Sequence, residues 1–313
     1  MFDRPITAVV TEIRSLSSNV RELTLLATSG RFFPDFSPGA HLVFKLPNDD
    51  TRSYSIVSQT ADSRFARIGV KKDPDGRGGS LYMHELNVGD LITVVDGRND
   101  FELTQHGGKS VFLAGGIGIT PILPMVRSLS MQGRPWELHY AVRTPEDAVF
   151  RDALKELPGG AVHMYYSDTD GKMIPVAEVL GGEAPGTYFY CCGPAPMIDI
   201  FLTASSLDEK YLRYERFSGV AAAPAEVAYE VRLARAGRTI MVEVGETILN
   251  ALLRNGITVD HSCQEGLCGA CETRVLEGEV EHRDLVLDDY ERAEGKMMIC
   301  CSIAKSASLT LDI

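Results

Sequence analysis

At 313 residues, with 44% hydrophobic and 24% charged side chains, the chain is too long for one small core and fits two or three domains of ordinary size. Lysine and arginine number 31 against 43 aspartates and glutamates, a formal charge of −12, which argues against nucleic acid or an anionic membrane as partner. No apolar stretch approaches a bilayer span, and the start Met1-Phe2-Asp3-Arg4-Pro5 lacks a signal peptide's hydrophobic region, so a cytoplasmic protein is expected.

From Ile6 to about Leu103 short strands are predicted at Ala8–Ile13, Val20–Leu26, His41–Leu46, Tyr54–Val57, Phe65–Val70 and Leu91–Val95, separated by Pro, Gly and Asn/Asp turns. Residues 1–104 are therefore read as an antiparallel β-barrel. On the fourth strand, alternation in Arg52-Ser53-Tyr54-Ser55 can bring an aromatic ring and a cation to one ligand. Further on, Gly76-Arg77-Gly78-Gly79-Ser80-Leu81 is a glycine-rich turn opening a short helix, whose free N–H groups suit a phosphate. Together these two phrases look like a flavin site.

From Ser110 the rhythm becomes strand then helix. Strands are expected at Val111–Ala114, Glu137–Val142, Val162–Tyr166 and Thr187–Cys192, with helices from Pro121 to about Met131 and near Phe150–Leu157. Such alternation predicts a parallel α/β sheet over residues 105–224. The first strand runs into Gly115-Gly116-Ile117-Gly118-Ile119-Thr120-Pro121, where glycines permit close backbone approach, Thr120 can cap the helix and Pro121 fits its first position. That turn can seat a pyrophosphate. It departs from G-x-G-x-x-G because Pro121 stands where the third glycine belongs, which counts against an ordinary dehydrogenase. Cys192-Gly193-Pro194 closes a later strand at the carboxyl edge of the sheet, where nucleotides bind in open α/β folds. Asp168 and Asp170, after the strand Val162–Tyr166, would repel a 2′-phosphate and favour NADH, although Arg143 and Lys172 are close in sequence.

Gly219–Glu226, small residues with little to bury, reads as a linker to a last domain, residues 225–313. That domain should hold a hairpin (Tyr229–Ala234, Arg238–Glu243) and a helix Thr247–Asn255 closed by Gly256. Then comes Cys263-Gln-Glu-Gly-Leu-Cys268-Gly-Ala-Cys271, followed by Cys300: the C-x4-C-x2-C…C spacing of a plant-type [2Fe–2S] cluster. Structural zinc sites usually pair two C-x2–4-C knuckles instead. Cys301 adjoins Cys300, and in an extended Met298-Ile299-Cys300-Cys301 segment alternation lets only one of them face the metal. The other cysteines, Cys191, Cys192 and Cys301, are expected to be free thiols. His282-Arg283-Asp284 lacks every companion of a kinase loop and reads, with Asp288, Asp289 and Glu291, as a solvated acidic face. His261 is no Rieske ligand, because all four cysteines are present.

The order Arg-Ser-Tyr-Ser, Gly-Gly-Ser, Gly-Gly-Ile-Gly-Ile-Thr-Pro, Cys-Gly-Pro, Tyr214-Glu215-Arg216-Phe217 and the cysteine loop resembles the phthalate dioxygenase reductase family over essentially the whole chain. These are class IA reductases of Rieske-type oxygenases. The resemblance implies a β-grasp ferredoxin domain, and FMN rather than FAD on the barrel. Arg52, Tyr54 and Ser55 would meet the isoalloxazine and ribityl chain, Gly79 and Ser80 the phosphate. Lys71 would lie beside the flavin, Thr120 near it, and Phe217 over its ring. The turns Gly115–Pro121 and Cys192-Gly193-Pro194 would hold the nicotinamide nucleotide, and the family's last cysteine matches Cys300. A flavin converts two-electron hydride to the single electrons an iron–sulfur cluster accepts. The expected path is NADH to FMN to [2Fe–2S] to the Rieske centre of a partner oxygenase, in a monomer. The alternatives are a reductase for a haem protein or ferric chelates, and an iron–sulfur redox sensor.

Overall fold

A closed six-stranded antiparallel barrel opens the chain: β1 (Ile6–Ser15), β2 (Val20–Ala27), β3 (His41–Lys45), β4 (Thr51–Gln59), β5 (Phe65–Lys71) and β6 (Leu91–Arg98), in the order β1-β2-β5-β4-β3-β6. Alternation sends Ala8 and Val10, Leu23 and Leu25, and Ile68 and Val70 into its core, and α1 (Gly79–Glu85) adds Met83. The computed structural model describes residues 4–48, 50–205, 207–217, 225–261 and 263–313. Among them, no helix is long and apolar enough to cross a membrane.

A five-stranded parallel sheet follows, built from β7 (Ser110–Gly115), α2 (Ile119–Met131), β8 (Trp136–Val142), α3 (Arg151–Lys155), β9 (Gly160–Tyr166), α4 (Ser167–Asp170), α5 (Val176–Gly181), β10 (Tyr188–Cys192), α6 (Ala195–Ala204) and β11 (Leu212–Glu215). Its order is β11-β10-β7-β8-β9, all parallel. The helix expected from Pro121 begins two residues earlier. A 3-10 turn, Gly116–Gly118, leads into it, so Gly118 rather than Thr120 stands at the N-cap and Pro121 is the third helical residue. The Thr120 hydroxyl instead donates to the Ile117 carbonyl at 2.8 Å. Val20 and Val57 of the barrel share one buried cluster with Phe101, Phe112, Ile119 and Leu123, so barrel and sheet form a single compact unit, Met1–Phe217.

The second unit, Ser218–Ile313, contains β12 (Tyr229–Leu233), β13 (Arg238–Val242), α7 (Ile248–Arg254), β14 (Glu272–Glu277), β15 (Val280–Glu281), α8 (Asp289–Ala293), β16 (Lys296–Met298), β17 (Ile303–Ala304) and β18 (Ser308–Leu311). A mixed sheet, β13-β12-β18-β14-β16, lies beside a two-stranded β15–β17 pair. The expected linker Gly219–Glu226 lies mostly outside the described residues. Its described end is not linker: Ala225 is buried, donates to the Glu246 carbonyl at 3.3 Å and accepts from Gly245 at 2.9 Å.

Candidate functional site

On β4, Arg52 reaches from the strand to the turn before α1. Its Nη2 donates to the Arg77 carbonyl at 3.1 Å and its Nη1 to Asp50 at 2.9 Å, and a Cβ on Gly79 would sit 2.4 Å from Arg52 Cγ. The cation therefore lies against the Gly78–Gly79–Ser80 turn, as a phosphate site requires. Ser80 spends its hydroxyl on the Asp73 backbone, accepting from its N–H at 2.9 Å. Tyr54, two residues along the same strand face, packs on Phe44, and burial pushes its hydroxyl well above the ordinary range. Ser53 and Lys71 are exposed, and Ser55 is buried opposite His41 of β3.

The two nucleotide turns of the parallel sheet are pressed together. A Cβ on Gly118 would meet the Cys192 carbonyl oxygen at 2.1 Å, and one on Gly115 would meet Pro194 Cδ at 2.4 Å. Those glycines serve the packing of one turn against the other. Gly116, at φ +56 with nothing within 4 Å of the place a Cβ would take, is the one left open toward a ligand. Thr120 faces the barrel, since a Cβ on Gly69 of β5 would lie 2.7 Å from its Cγ2.

Between these parts sits a carboxyl group. Cys192 Sγ donates to Glu215 Oε2 at 4.0 Å, and Glu215 Oε1 is 3.9 Å from His41 Nδ1. Ser55, His41, Glu215 and Cys192 thus stand in sequence from β4 to the end of β10, with His41 Nδ1 itself making no hydrogen bond. Burial, helped by the Asp100 charge, pushes Glu215 up to about 8, and burial lowers His41, so both are neutral near pH 7. Cys192 is fully buried and its thiol is raised well above its ordinary value by burial and by Glu215, so it is no thiolate nucleophile. Neither Glu215 nor His41 stands out in the sequence. The one signal for Glu215 was its place inside Tyr214-Glu215-Arg216-Phe217.

In the second unit the four expected cysteines converge. Cys263 lies within hydrogen-bond reach of the Cys268 and Cys300 thiols, and Cys271 of the Cys300 thiol. Glu265 and Leu267 donate their N–H groups to Cys263 Sγ at 3.3 and 3.4 Å, and Cys263 N–H donates to Cys268 Sγ at 3.4 Å. Hydrogen bonds from neighbouring thiols and these amides push the Cys263 thiol far down, and the same thiol–thiol bonds push the Cys268 and Cys300 thiols up, so the sulfurs share their protons as one group. Three sulfurs on one amide-lined loop and a fourth, Cys300, from the segment after β16 fit a [2Fe–2S] group. The segment after Met298 is not extended, because Cys301 and Ser302 both donate to the Met298 carbonyl in a turn. That turn, rather than strand alternation, separates Cys300 from Cys301, whose Sγ would lie 2.6 Å from a Cβ on Gly266. The acidic-face reading fails at Asp284. It is buried, accepts from Leu287 N–H at 2.9 Å, and fixes the segment whose Leu285 N–H bonds Gly266 of the cysteine loop at 3.0 Å. Asp288 and Glu291 form the capping box of α8. His261 bonds the Val259 carbonyl at 2.9 Å and takes no part in the cluster of sulfurs.

Residues 7–100 match the oxidoreductase FAD-binding domain, 112–202 the oxidoreductase NAD-binding domain and 231–305 the 2Fe-2S iron-sulfur cluster binding domain. The chain is 45% identical to the phenoxybenzoate dioxygenase subunit beta of Ectopseudomonas oleovorans, over 89% of this chain and 88% of that one. Phthalate dioxygenase reductase superposes with a TM-score of 0.78 at 31% identity, covering 99% of this chain and 98% of that one. The chain belongs to the phthalate dioxygenase reductase family. An intact type IV self-sufficient cytochrome P450 monooxygenase also matches, with a TM-score of 0.80 and 35% identity over 99% of this chain. This chain spans 41% of that protein's length.

As a member of this family the protein is an oxidoreductase with flavin-, nicotinamide- and [2Fe–2S]-binding parts. The sequence-predicted residues of the first unit fall into two groups, with Phe217 and Asp168 apart from both. Arg52, Tyr54, Ser55, Gly78, Gly79 and Ser80 gather on β4 and the start of α1. Gly115, Gly116, Gly118, Thr120, Pro121, Cys192, Gly193 and Pro194 gather at the carboxyl edge of the parallel sheet. Phe217, 42% exposed, follows β11 two residues after Glu215, and Asp168 lies exposed just beyond the carboxyl end of β9.

Proposed function

We propose that the protein takes hydride from NADH onto FMN and passes single electrons through a [2Fe–2S] cluster to the Rieske centre of a separate oxygenase component. The observation that carries this reading is the line Ser55–His41–Glu215–Cys192, which brings the flavin strand to the nucleotide turn in one unit while four cysteines converge in another. When bound, flavin supplies the exchange between two-electron and one-electron chemistry. The chain's own residues bind and orient. Arg52 and the Gly79–Ser80 turn hold the phosphate, and one cation on one short turn favours a single phosphate group, hence FMN over FAD. Gly116 offers its backbone to the nucleotide, Thr120 seats the Gly115–Pro121 turn against the barrel, and Phe217 and Lys71 border the flavin. Glu215 keeps a proton at neutral pH beside Cys192, so no fixed negative charge faces the incoming nicotinamide from that side. Cys263, Cys268, Cys271 and Cys300 hold the iron.

Within the first unit we place the boundary between flavin and nucleotide domains at residues 104/105, where Thr104 N–H meets the Tyr190 hydroxyl at 3.0 Å. Preference for NADH rests on Asp168 and Asp170. Lys172 is tied to Asp170 at 3.3 Å, which leaves Asp168 to repel a 2′-phosphate. Mass analysis of heat-released flavin and kcat/KM for the two nucleotides test these assignments; FAD, or equal kcat/KM, would overturn them. A haem acceptor is favoured by one observation, that a cytochrome P450 monooxygenase carries the same arrangement within its own chain.

The deciding experiment uses a chain ending at Phe217. It should fold, bind flavin and oxidise NADH with ferricyanide, yet lose reduction of cytochrome c and of the oxygenase. If it reduces one-electron protein acceptors as fast as the full chain, the cluster is off the electron path.

A further inference from the structure

The parallel register of β8 and β9 sets His139 directly opposite His163, with Glu137 two residues behind on β8. Leu138 and Tyr140 face α2, so Glu137 and His139 lie on the other face of the sheet, the side covered by α5 and α6. His163 Nε2 is 2.8 Å and His139 Nε2 3.2 Å from the same oxygen, Glu137 Oε1, and the three ligand atoms all fall within 4.8 Å of one another. The imidazoles stack at 4.8 Å between centroids.

We propose that Glu137, His139 and His163 form a binding site for one divalent cation of the zinc type. Three arguments support it. The first is geometric: tetrahedral zinc with bonds of 2.0–2.2 Å holds its ligand atoms about 3.3–3.5 Å apart. The His139–Glu137 separation of 3.2 Å already lies close to that, the His163–Glu137 contact at 2.8 Å is a hydrogen bond that an ion would replace by opening it about 0.5 Å, and the exposed His163, on edge strand β9, is the ligand that would make this move and close the third. The second is the arrangement behind the ligands. His139 Nδ1 pairs with the Tyr165 hydroxyl at 2.9 Å, the outer-shell bond that turns a ligating imidazole's other nitrogen toward a metal. Lys109 holds Glu137 Oε2 at 2.6 Å, which reserves Oε1 for the ion. The third is charge. Lys109 is shared between Glu137 and Glu183, each at 2.6 Å, so the group keeps one uncompensated negative charge. Two histidines and a carboxylate with one open position suit a borderline first-row ion rather than calcium or magnesium. Bound there, it ties edge strand β9 to β8.

The test titrates the flavin- and iron-loaded full chain with zinc against a chromophoric chelator, and follows the histidine ring resonances by NMR. One zinc per chain should bind, with shifts at His139 and His163. His163→Ala, at an exposed position that leaves the core intact, should weaken binding at least tenfold, since even outer-shell partners of a metal ligand are worth roughly 10–100-fold. NADH oxidation by ferricyanide without zinc should be unchanged in that variant. Equal zinc affinity in His163→Ala and the parent chain, absence of stoichiometric binding, or shifts confined to other histidines would overturn the site.

Discussion

Glu215 gives the most direct physical test of the flavin–nucleotide junction. Its carboxyl group rises from an ordinary 4.5 to about 8 because it is buried and faces Asp100. Between those values the folded chain keeps a proton that the unfolded chain has released, so each rise in pH favours unfolding; above about 8 both states are ionised and the dependence ends. One pH unit corresponds to about 1.4 kcal/mol, and the whole window to about 5 kcal/mol. Glutamine keeps the shape and cannot titrate. The stability of Glu215→Gln relative to the parent should therefore climb with pH, by about 2–3 kcal/mol from pH 5.5 to 7.5. Titrating groups away from Glu215 are common to both chains and cancel, and the Cys192 thiol, which Glu215 raises, titrates above this pH range. Trp136 is the protein's single tryptophan and is buried in the first unit, so its fluorescence in urea reports unfolding of that unit inside the intact protein. Two stability curves that run parallel through this pH range would show that Glu215 is ionised in the fold, and the neutral junction between Cys192 and His41 would be wrong.

Cys300→Ser should abolish the iron absorption and leave flavin bound, whereas Cys301→Ser keeps both; the reverse pattern, read by visible spectra and iron analysis, would move the fourth ligand to Cys301. Arg52→Ala removes the cation at the phosphate turn and should weaken flavin retention about tenfold to a hundredfold, measured by fluorescence on dilution, while retention at parental strength would place the phosphate elsewhere. Gly118→Ala puts a methyl 2.1 Å from the Cys192 carbonyl, where only backbone can yield, and should raise KM for NADH at least about tenfold by parting the two turns. Gly116→Ala meets open space but a φ of +56, so without nucleotide it should cost only about 1–2 kcal/mol of stability. Equal effects of the two alanines on both readouts would mean that turn-against-turn packing does not shape the site.

What could be read in the sequence was local. The barrel strands follow from period-2 alternation broken by turns, and the convergence of four cysteines from their spacing, because each signal is complete within a dozen residues or depends on residue type alone. What could not be read depends on pairing between distant segments. β11 carries Leu212, Arg213, Tyr214 and Glu215, an apolar–polar alternation only four residues long and too short to announce a strand, and becomes one because β10 offers it a parallel edge. Only that pairing, Cys192 opposite Glu215, brings a carboxyl group against the thiol. His41 enters through a second pairing, with Ser55 across β3 and β4. The same holds on the far face of the sheet, where Glu137, His139 and His163 become neighbours through the β8–β9 register. The turn after Met298 and the burial of Asp284 are likewise set by the loop they pack on, not by their own residues. Local motifs thus pointed to flavin, nicotinamide and iron–sulfur parts, while strand register decided which protonatable groups meet at the junction of barrel and sheet. A change that slips the β10–β11 register by one residue would turn Glu215 to the other face and leave every motif of the sequence intact.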